Sequence, residues 1–136
     1  LIITMAVTTG YIWINDKPQL FHVLLNNSTL WLFILFFYSF FSVYPQEIIY
    51  RTFFFKRYQD LFRNEYLFIL VNAALFSLAH IFFMNTLVII LTFIGGIIFA
   101  LTYKNTKSTL LVSVEHSLYG CWLFTVGMGN MLGFPS

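Results

Sequence analysis

Charge is what this chain has least of. Only 9% of its 136 residues are Asp, Glu, Lys or Arg, against about a quarter in ordinary soluble domains. That is too little to cover the surface of a water-soluble fold of this length, so a soluble globular domain is excluded. One cysteine, Cys121, leaves no internal disulfide to form and says nothing of redox compartment. Three prolines and seven glycines are too few for long linkers, and there is no repeat or low-complexity tract, so residues 1–136 read as one domain. A formal net charge of +2 is too small to point to nucleic acid. What remains is apolar: 60% hydrophobic and 21% aromatic residues, with a mean hydropathy of +0.83. The expected class is an integral membrane protein with little chain outside the bilayer. An apolar run is already under way at Leu1 with no basic stretch before it. The expectation is therefore a piece of a longer chain whose earlier helices are missing, not a cleaved leader.

The apolar runs and their breaks predict an all-α polytopic transmembrane bundle of five to six helices. Residues 1–14 end one span, and 15–28, with Asp16, Lys17, Pro18 and "NNS", form a polar connection. Residues 29–43 are nearly all Leu, Phe, Trp, Ile and Tyr before Pro45 interrupts, and 46–62 start apolar and end charged. Residues 65–84, 86–103 and 109–128 are long enough to cross a hydrocarbon core, and the Gly-rich tail "GMGNMLGFPS" does not continue as a firm helix. Pro45 admits two readings, a kink in one long helix or a fresh start. The fresh start is preferred, because Pro suits a first helical turn and Glu47 just after it suits the helix dipole. It also pairs 46–62 with the next span antiparallel, with Glu47 level with Ile81, beside His80. With that break Lys17, Lys56, Arg57, Arg63, Lys104 and Lys107 all fall on one side of the membrane. The connections around Tyr44 and Asn85 carry no Lys or Arg. The basic side is then cytoplasmic, and Glu47 and His80 lie toward the opposite face.

Ionisable side chains at membrane depth are expensive, so Glu47, Arg51, His80, Glu115 and His116 are the functional candidates. Glu47 and Arg51 share a helical face at i,i+4 spacing. They make either an ion pair pinning two helices or a general base beside its counter-ion. His80 and His116 each fit a helix-packing hydrogen bond as well as a catalytic role. Glu115 lies about 100° round the helix from His116 and is given no role; His22, in the polar connection, is incidental. The turn near Asn105 puts Gly95 and Gly96 level with His116, where paired glycines leave space for a cavity. On straight helices His116 and His80 differ in depth by about 9 Å, so tilt or a kink must close the gap.

Taken together, "QEIIYR" at 46–51, "FSLAH" at 76–80 and His116 in "VEHSLYG" resemble the EExxxR, FxxxH and HxxxN motifs of the CAAX protease and bacteriocin-processing (CPBP) family of intramembrane peptidases. Motif order, spacing and the proline before the acid agree, and the family-like core runs over 43–134. The resemblance implies that Glu47 activates water, His80 helps hold it, His116 supports the oxyanion or the water, and Arg51 positions Glu47. Two positions depart from the motifs: Gln46 stands for the first acid and Gly120 for the closing asparagine. Losing that amide removes a typical oxyanion donor; Tyr119, Ser117 and the backbone are the substitutes considered.

The implied activity is hydrolysis of a peptide bond near the terminus of a membrane-associated protein or peptide. Prenylated CAAX proteins, bacteriocin precursors and sorting tails are the substrate classes the resemblance carries. A site facing away from the cytoplasm favours the last two kinds. No cofactor is expected, with zinc on Glu47, His80 and His116 as the alternative. The rival functions are a non-catalytic immunity or scaffold factor of the same family and an ion or proton transporter. Partners are the substrate and the bilayer, and oligomeric state is left open.

Overall fold

A computed structural model of the protein describes residues 1–133, which fold into helices joined by short turns. Phe134, where the expected core ends, lies with Pro135 and Ser136 outside the described residues. The helices are α1 (Ile2–Asn15), α2 (His22–Asn26), α3 (Ser28–Leu61), α4 (Glu65–Leu78, extended by a 3-10 turn at Ile81–Phe83), α5 (Thr86–Thr106) and α6 (Thr109–Leu123). Among the described residues three stretches are long and apolar enough to cross a membrane, Ser28–Leu61, Glu65–Phe83 and Thr86–Thr106. The chain is a helical membrane protein.

Local sequence places the helix starts. Asn27, Asn64, Asn85 and Ser108 each sit just before a helix and accept a hydrogen bond from a first-turn N–H, at 3.0 Å from Leu30, 2.9 Å from Tyr66, 2.9 Å from Leu87 and 3.2 Å from Leu111. Such caps satisfy donors that the helix itself leaves open. Hydroxyls inside the spans bond back to the carbonyl four residues earlier, as Thr92 does to Val88 and Ser113 to Thr109. These two hydroxyls are thus satisfied within their own helices.

The preferred break at Pro45 is overturned: α3 runs unbroken through it. A π turn at Tyr38–Val43 directly precedes the proline, and the Tyr44 N–H reaches back to the Ser39 carbonyl, five residues away. Where the ladder has already shifted by one residue, a missing N–H and a ring on the next residue disturb little. A second π turn follows at Ile48–Phe53. At 34 residues, α3 spans about 50 Å, more than the roughly 30 Å of hydrocarbon, so it tilts or projects into the interface.

Continuity of α3 moves one basic residue. Lys104 reaches Glu65 at 2.7 Å, which puts Lys56, Arg57, Arg63, Lys104 and Lys107 at one end of the bundle. Lys17 lies at the other end, because a Cβ on Gly127, at the far end of the helix from Lys107, would overlap the Gln19 carbonyl. One crossing, not two, separates residue 28 from residue 61. Lys17 therefore does not share a side with the other five.

α3 and α4 pair antiparallel: Phe54 stacks on Phe68 at 5.6 Å and Tyr50 meets Phe76 edge-on at 5.3 Å. The pairing sets Glu47 about level with Phe76, one turn before His80. α4 and α5 pack most closely of all, with Gly96 against Ala73, where a Cβ would come within 3.0 Å of the Ala73 Cα. Gly96 thus serves helix packing instead of leaving space before His116, which is level with Phe99, its ring stacked on it at 4.5 Å. Beyond α6 the chain turns through Gly127, at φ 112°, into a 3-10 turn at Gly129–Leu132. This bend in the Gly-rich tail agrees with the sequence expectation.

Candidate active site

The second π turn of α3 carries Arg51 and follows Glu47 by one residue. Both side chains are fully buried, at 0% exposure. Arg51 Nε lies 3.2 Å from Glu47 Oε2, an ion pair whose angle falls short of a hydrogen bond. Arg51 Nη1 donates to Asn72 Oδ1 at 3.0 Å, and Nη2 reaches the Gly96 carbonyl at 3.5 Å. Asn72 in turn donates to the Tyr50 carbonyl at 2.7 Å. The guanidinium also lies over the Phe76 ring, 4.8 Å from its centre. One cation thus ties α3, α4 and α5 together at mid-depth.

The other Glu47 oxygen holds His116. His116 Nδ1 lies 2.6 Å from Glu47 Oε1, and since a carboxylate only accepts, Nδ1 carries the proton and donates it. The other ring nitrogen, Nε2, lies a long 3.4 Å from the Tyr38 hydroxyl. His116 is held between Phe99, stacked on it, and Phe76, edge-on at 5.5 Å. Carboxylate, imidazole and hydroxyl run in sequence from α3 through α6 and back to α3.

A cavity of about 480 Å³ opens beside this chain of groups; Tyr38, Gln46, His80, His116 and Gly120 are on its wall. Most of the remaining lining is apolar, including Phe76, Phe83, Leu91, Ile98 and Met128. His80 Nδ1 donates to the Phe76 carbonyl at 2.8 Å, which leaves its Nε2 as an acceptor. Phe76 touches both histidines, with its ring 4.9 Å from that of His80. The depth gap expected between them is thus bridged by one aromatic ring.

Glu47, Arg51 and His116 therefore come together as a bonded cluster, and His80 joins them on the cavity wall. Glu47 does not line the cavity, because His116 and Arg51 enclose it. Its neighbour Gln46 does, as adjacent helical residues point about 100° apart. Gln46 Nε2 donates to Ser42 at 2.9 Å, while its buried Oε1 has no hydrogen-bond partner among the described residues. Glu115 keeps one buried oxygen equally unmatched and stays outside the cluster, and His22 opens α2, away from it. Among the described residues no three His, Cys, Asp or Glu side chains gather to hold a metal ion. Glu47 is turned to His116 and Arg51 and is not on the cavity wall, so Glu47, His80 and His116 do not converge on one point as the zinc alternative requires.

Two participants escaped the sequence reading. Asn72 had a signal, an amide in mid-span four residues before Phe76 and so on the face of the FxxxH motif. Tyr38 had none, as one of eight tyrosines in a run of aromatics.

The profile of a family described as type II CAAX prenyl endopeptidase Rce1-like matches residues 27–122. That stretch holds Tyr38, all three motifs and Gly120. No curated protein and no solved structure matches the chain.

Proposed function

The chain belongs to the Rce1-like type II CAAX prenyl endopeptidase family, and from that premise we propose that it hydrolyses a peptide bond near the end of a membrane-associated polypeptide, with His116 as its general base. The observation that carries this reading is the 2.6 Å contact between His116 Nδ1 and Glu47, which leaves Nε2 as the basic atom on the cavity side. Water between His116 and His80 gives a proton to His116 Nε2 as its oxygen bonds to the scissile carbonyl carbon. The carbonyl oxygen becomes an oxyanion. When the intermediate collapses, the C–N bond breaks and His116 returns the proton to the leaving amine, so one water is consumed. Glu47 orients the ring and stabilises its charged form, as carboxylates behind catalytic histidines do. This gives Glu47 a place behind the base instead of the direct contact with water implied by the motif. Arg51 fixes Glu47, His80 Nε2 accepts from the water, and Gln46 Oε1 offers an acceptor to a substrate N–H.

The apolar wall suits a lipid-like or strongly hydrophobic substrate end. Five basic residues at one end of the bundle make that end cytoplasmic by the positive-inside rule. No metal takes part in this scheme.

The test is cleavage of an internally quenched peptide bearing a farnesylated cysteine near its C-terminus, by the purified chain in liposomes. His116→Ala should lower kcat by about 10³-fold or more with the fold retained, and Glu47→Gln by about 10²–10⁴-fold per folded molecule, with a loss of stability because Arg51 keeps its charge without a counter-ion. Cleavage that persists in His116→Ala would refute the assignment. Activity lost to a chelator and restored by zinc would refute its metal-free form. A non-catalytic role is the second reading, favoured by Gln46 and Gly120 at two motif positions. Absence of cleavage by the wild type, with cellular function undiminished in Glu47→Gln, would establish that reading instead.

A further inference from the structure

The resemblance expects an asparagine at position 120, and the structure fills that place from another helix. A Cβ on Gly120 would overlap the Tyr38 hydroxyl and the Cε1 and Cζ atoms of its ring. Position 120 can therefore bear no side chain while Tyr38 holds its place. His116 and Gly120 are four residues apart on one face of α6, and Tyr38 comes to that face from the first π turn of α3. Its ring stands edge-on to His116, centres 6.2 Å apart. Tyr38, His116 and Gly120 all line the cavity.

Neither histidine has a proton to spare for an oxyanion. The His116 N–H is held by Glu47 and the His80 N–H by the Phe76 carbonyl. The Thr92 hydroxyl, also on the wall, donates to the Val88 carbonyl at 2.7 Å. The Tyr38 hydroxyl is placed differently, because it lies 3.4 Å from His116 Nε2, the atom that changes state in the reaction.

We propose that Tyr38 is a catalytic residue of this chain, its O–H donating a hydrogen bond to the substrate carbonyl oxygen as that oxygen becomes an oxyanion. This rests on the peptidase reading above and takes over the task the resemblance gives to an amide at 120. In the resting site the hydroxyl lies beside His116 Nε2. Nε2 has one lone pair, so the Tyr38 O–H turns from it to the substrate carbonyl oxygen before Nε2 takes the proton of water. As that proton moves, the negative charge forms on the carbonyl oxygen. Tyr38 keeps its proton throughout; only the direction of its O–H changes.

The experiment compares wild type, Tyr38→Phe, Tyr38→Ala and Tyr38→Ala/Gly120→Asn on the farnesylated quenched peptide, with thermal melts alongside. Tyr38→Phe keeps the ring that packs on His116, so it should melt near wild type. It should lose about 10²–10³-fold in kcat at little-changed KM, the usual effect of removing one oxyanion donor. Tyr38→Ala empties the volume beside Gly120, and adding Gly120→Asn should restore kcat at least tenfold over Tyr38→Ala alone. A packing role does not give that recovery. Wild-type cleavage matched by Tyr38→Phe would overturn the proposal and leave the peptidase reading intact, as would a double variant no faster than Tyr38→Ala. A wild type that leaves the peptide whole would bring down the parent reading and this proposal with it.

Discussion

Replacing Arg51 with alanine should cost more stability than any other single change in the cluster. Glu47, at 0% exposure, would lose its counter-ion and keep the His116 N–H as its remaining hydrogen-bond donor. Breaking a buried ion pair from one side costs about 3–5 kcal/mol. Asn72 Oδ1 and the Gly96 carbonyl would lose a donor in the same step, so the upper part of that range applies. Against a total of about 5–15 kcal/mol for a folded domain, this is a large share. In equilibrium terms it is an increase of about 10²–10³-fold or more in the unfolded fraction, measurable by SDS titration of the purified chain in mixed micelles. Arg51→Lys should recover only part of it, because an ammonium can meet Glu47 but lacks the fork that also spans Asn72 and Gly96. Glu47→Gln/Arg51→Met should be markedly more stable than Arg51→Ala alone, since no charge is then stranded. If Arg51→Ala unfolds within about 1 kcal/mol of wild type, the pair is not the buried tie described here.

Two further outcomes test the packing around it. Gly96→Ala should destabilise by about 1–3 kcal/mol, because its Cβ would meet the Ala73 backbone at 3.0 Å; Gly10→Ala, with nothing within 4 Å, should be neutral or gain up to about 1 kcal/mol from helix propensity. Equal SDS midpoints for the two variants would refute the close packing of α5 on α4. Asn72→Ala should cost about 1–3 kcal/mol by leaving the buried Tyr50 carbonyl without its donor. It should also lower kcat more than Gly96→Ala does, since Arg51 and through it Glu47 lose their alignment; a change in stability alone would confine Asn72 to a structural role.

Much of the architecture was legible because lipid imposes simple rules. Apolar runs of span length give the helices, and Asn64, Asn85 and Ser108 mark their starts by the same capping chemistry that operates in water. The resemblance drawn from three short motifs agrees with the family match, and His80 and His116 do reach one cavity. The path through Pro45 was not legible. A proline after an apolar run signals an ending unless the ladder has already widened, and a π turn leaves no periodic trace in a run such as "FFYSFFSV". That single misreading put Lys17 at the same end of the bundle as the other five basic residues, since ends are counted crossing by crossing. The level of Gly95 and Gly96 shifted for a smaller reason: the α5–α6 turn lies at Lys107, two residues beyond the expected centre, so His116 comes level with Phe99; Gly95 still lines the cavity with His116, and Gly96, about 100° round the helix, faces Ala73.

Why Glu47 lies behind the cavity follows from the same helical angle. Positions 46 and 47 diverge by about 100°, so in this chain residue 46 meets the cavity and residue 47 the bundle interior. A motif written as letters does not rank them. In this chain the inward position keeps its carboxylate, where it neutralises Arg51 and holds His116, and the cavity-facing position has become an amide. The inward acid cannot be lost without stranding Arg51 in a dry interior, whereas Gln46 and Gly120 both lie where chemistry alone decides their fate. The same division explains why Gly120 is tolerated: removing a side chain from the cavity wall leaves a space, and Tyr38, seven residues before the proline, has the length to bring a hydroxyl into it. On the proposal that Tyr38 donates to the oxyanion, the change at 120 is compensated from a neighbouring helix, while the buried ion pair behind His116 stays as it is.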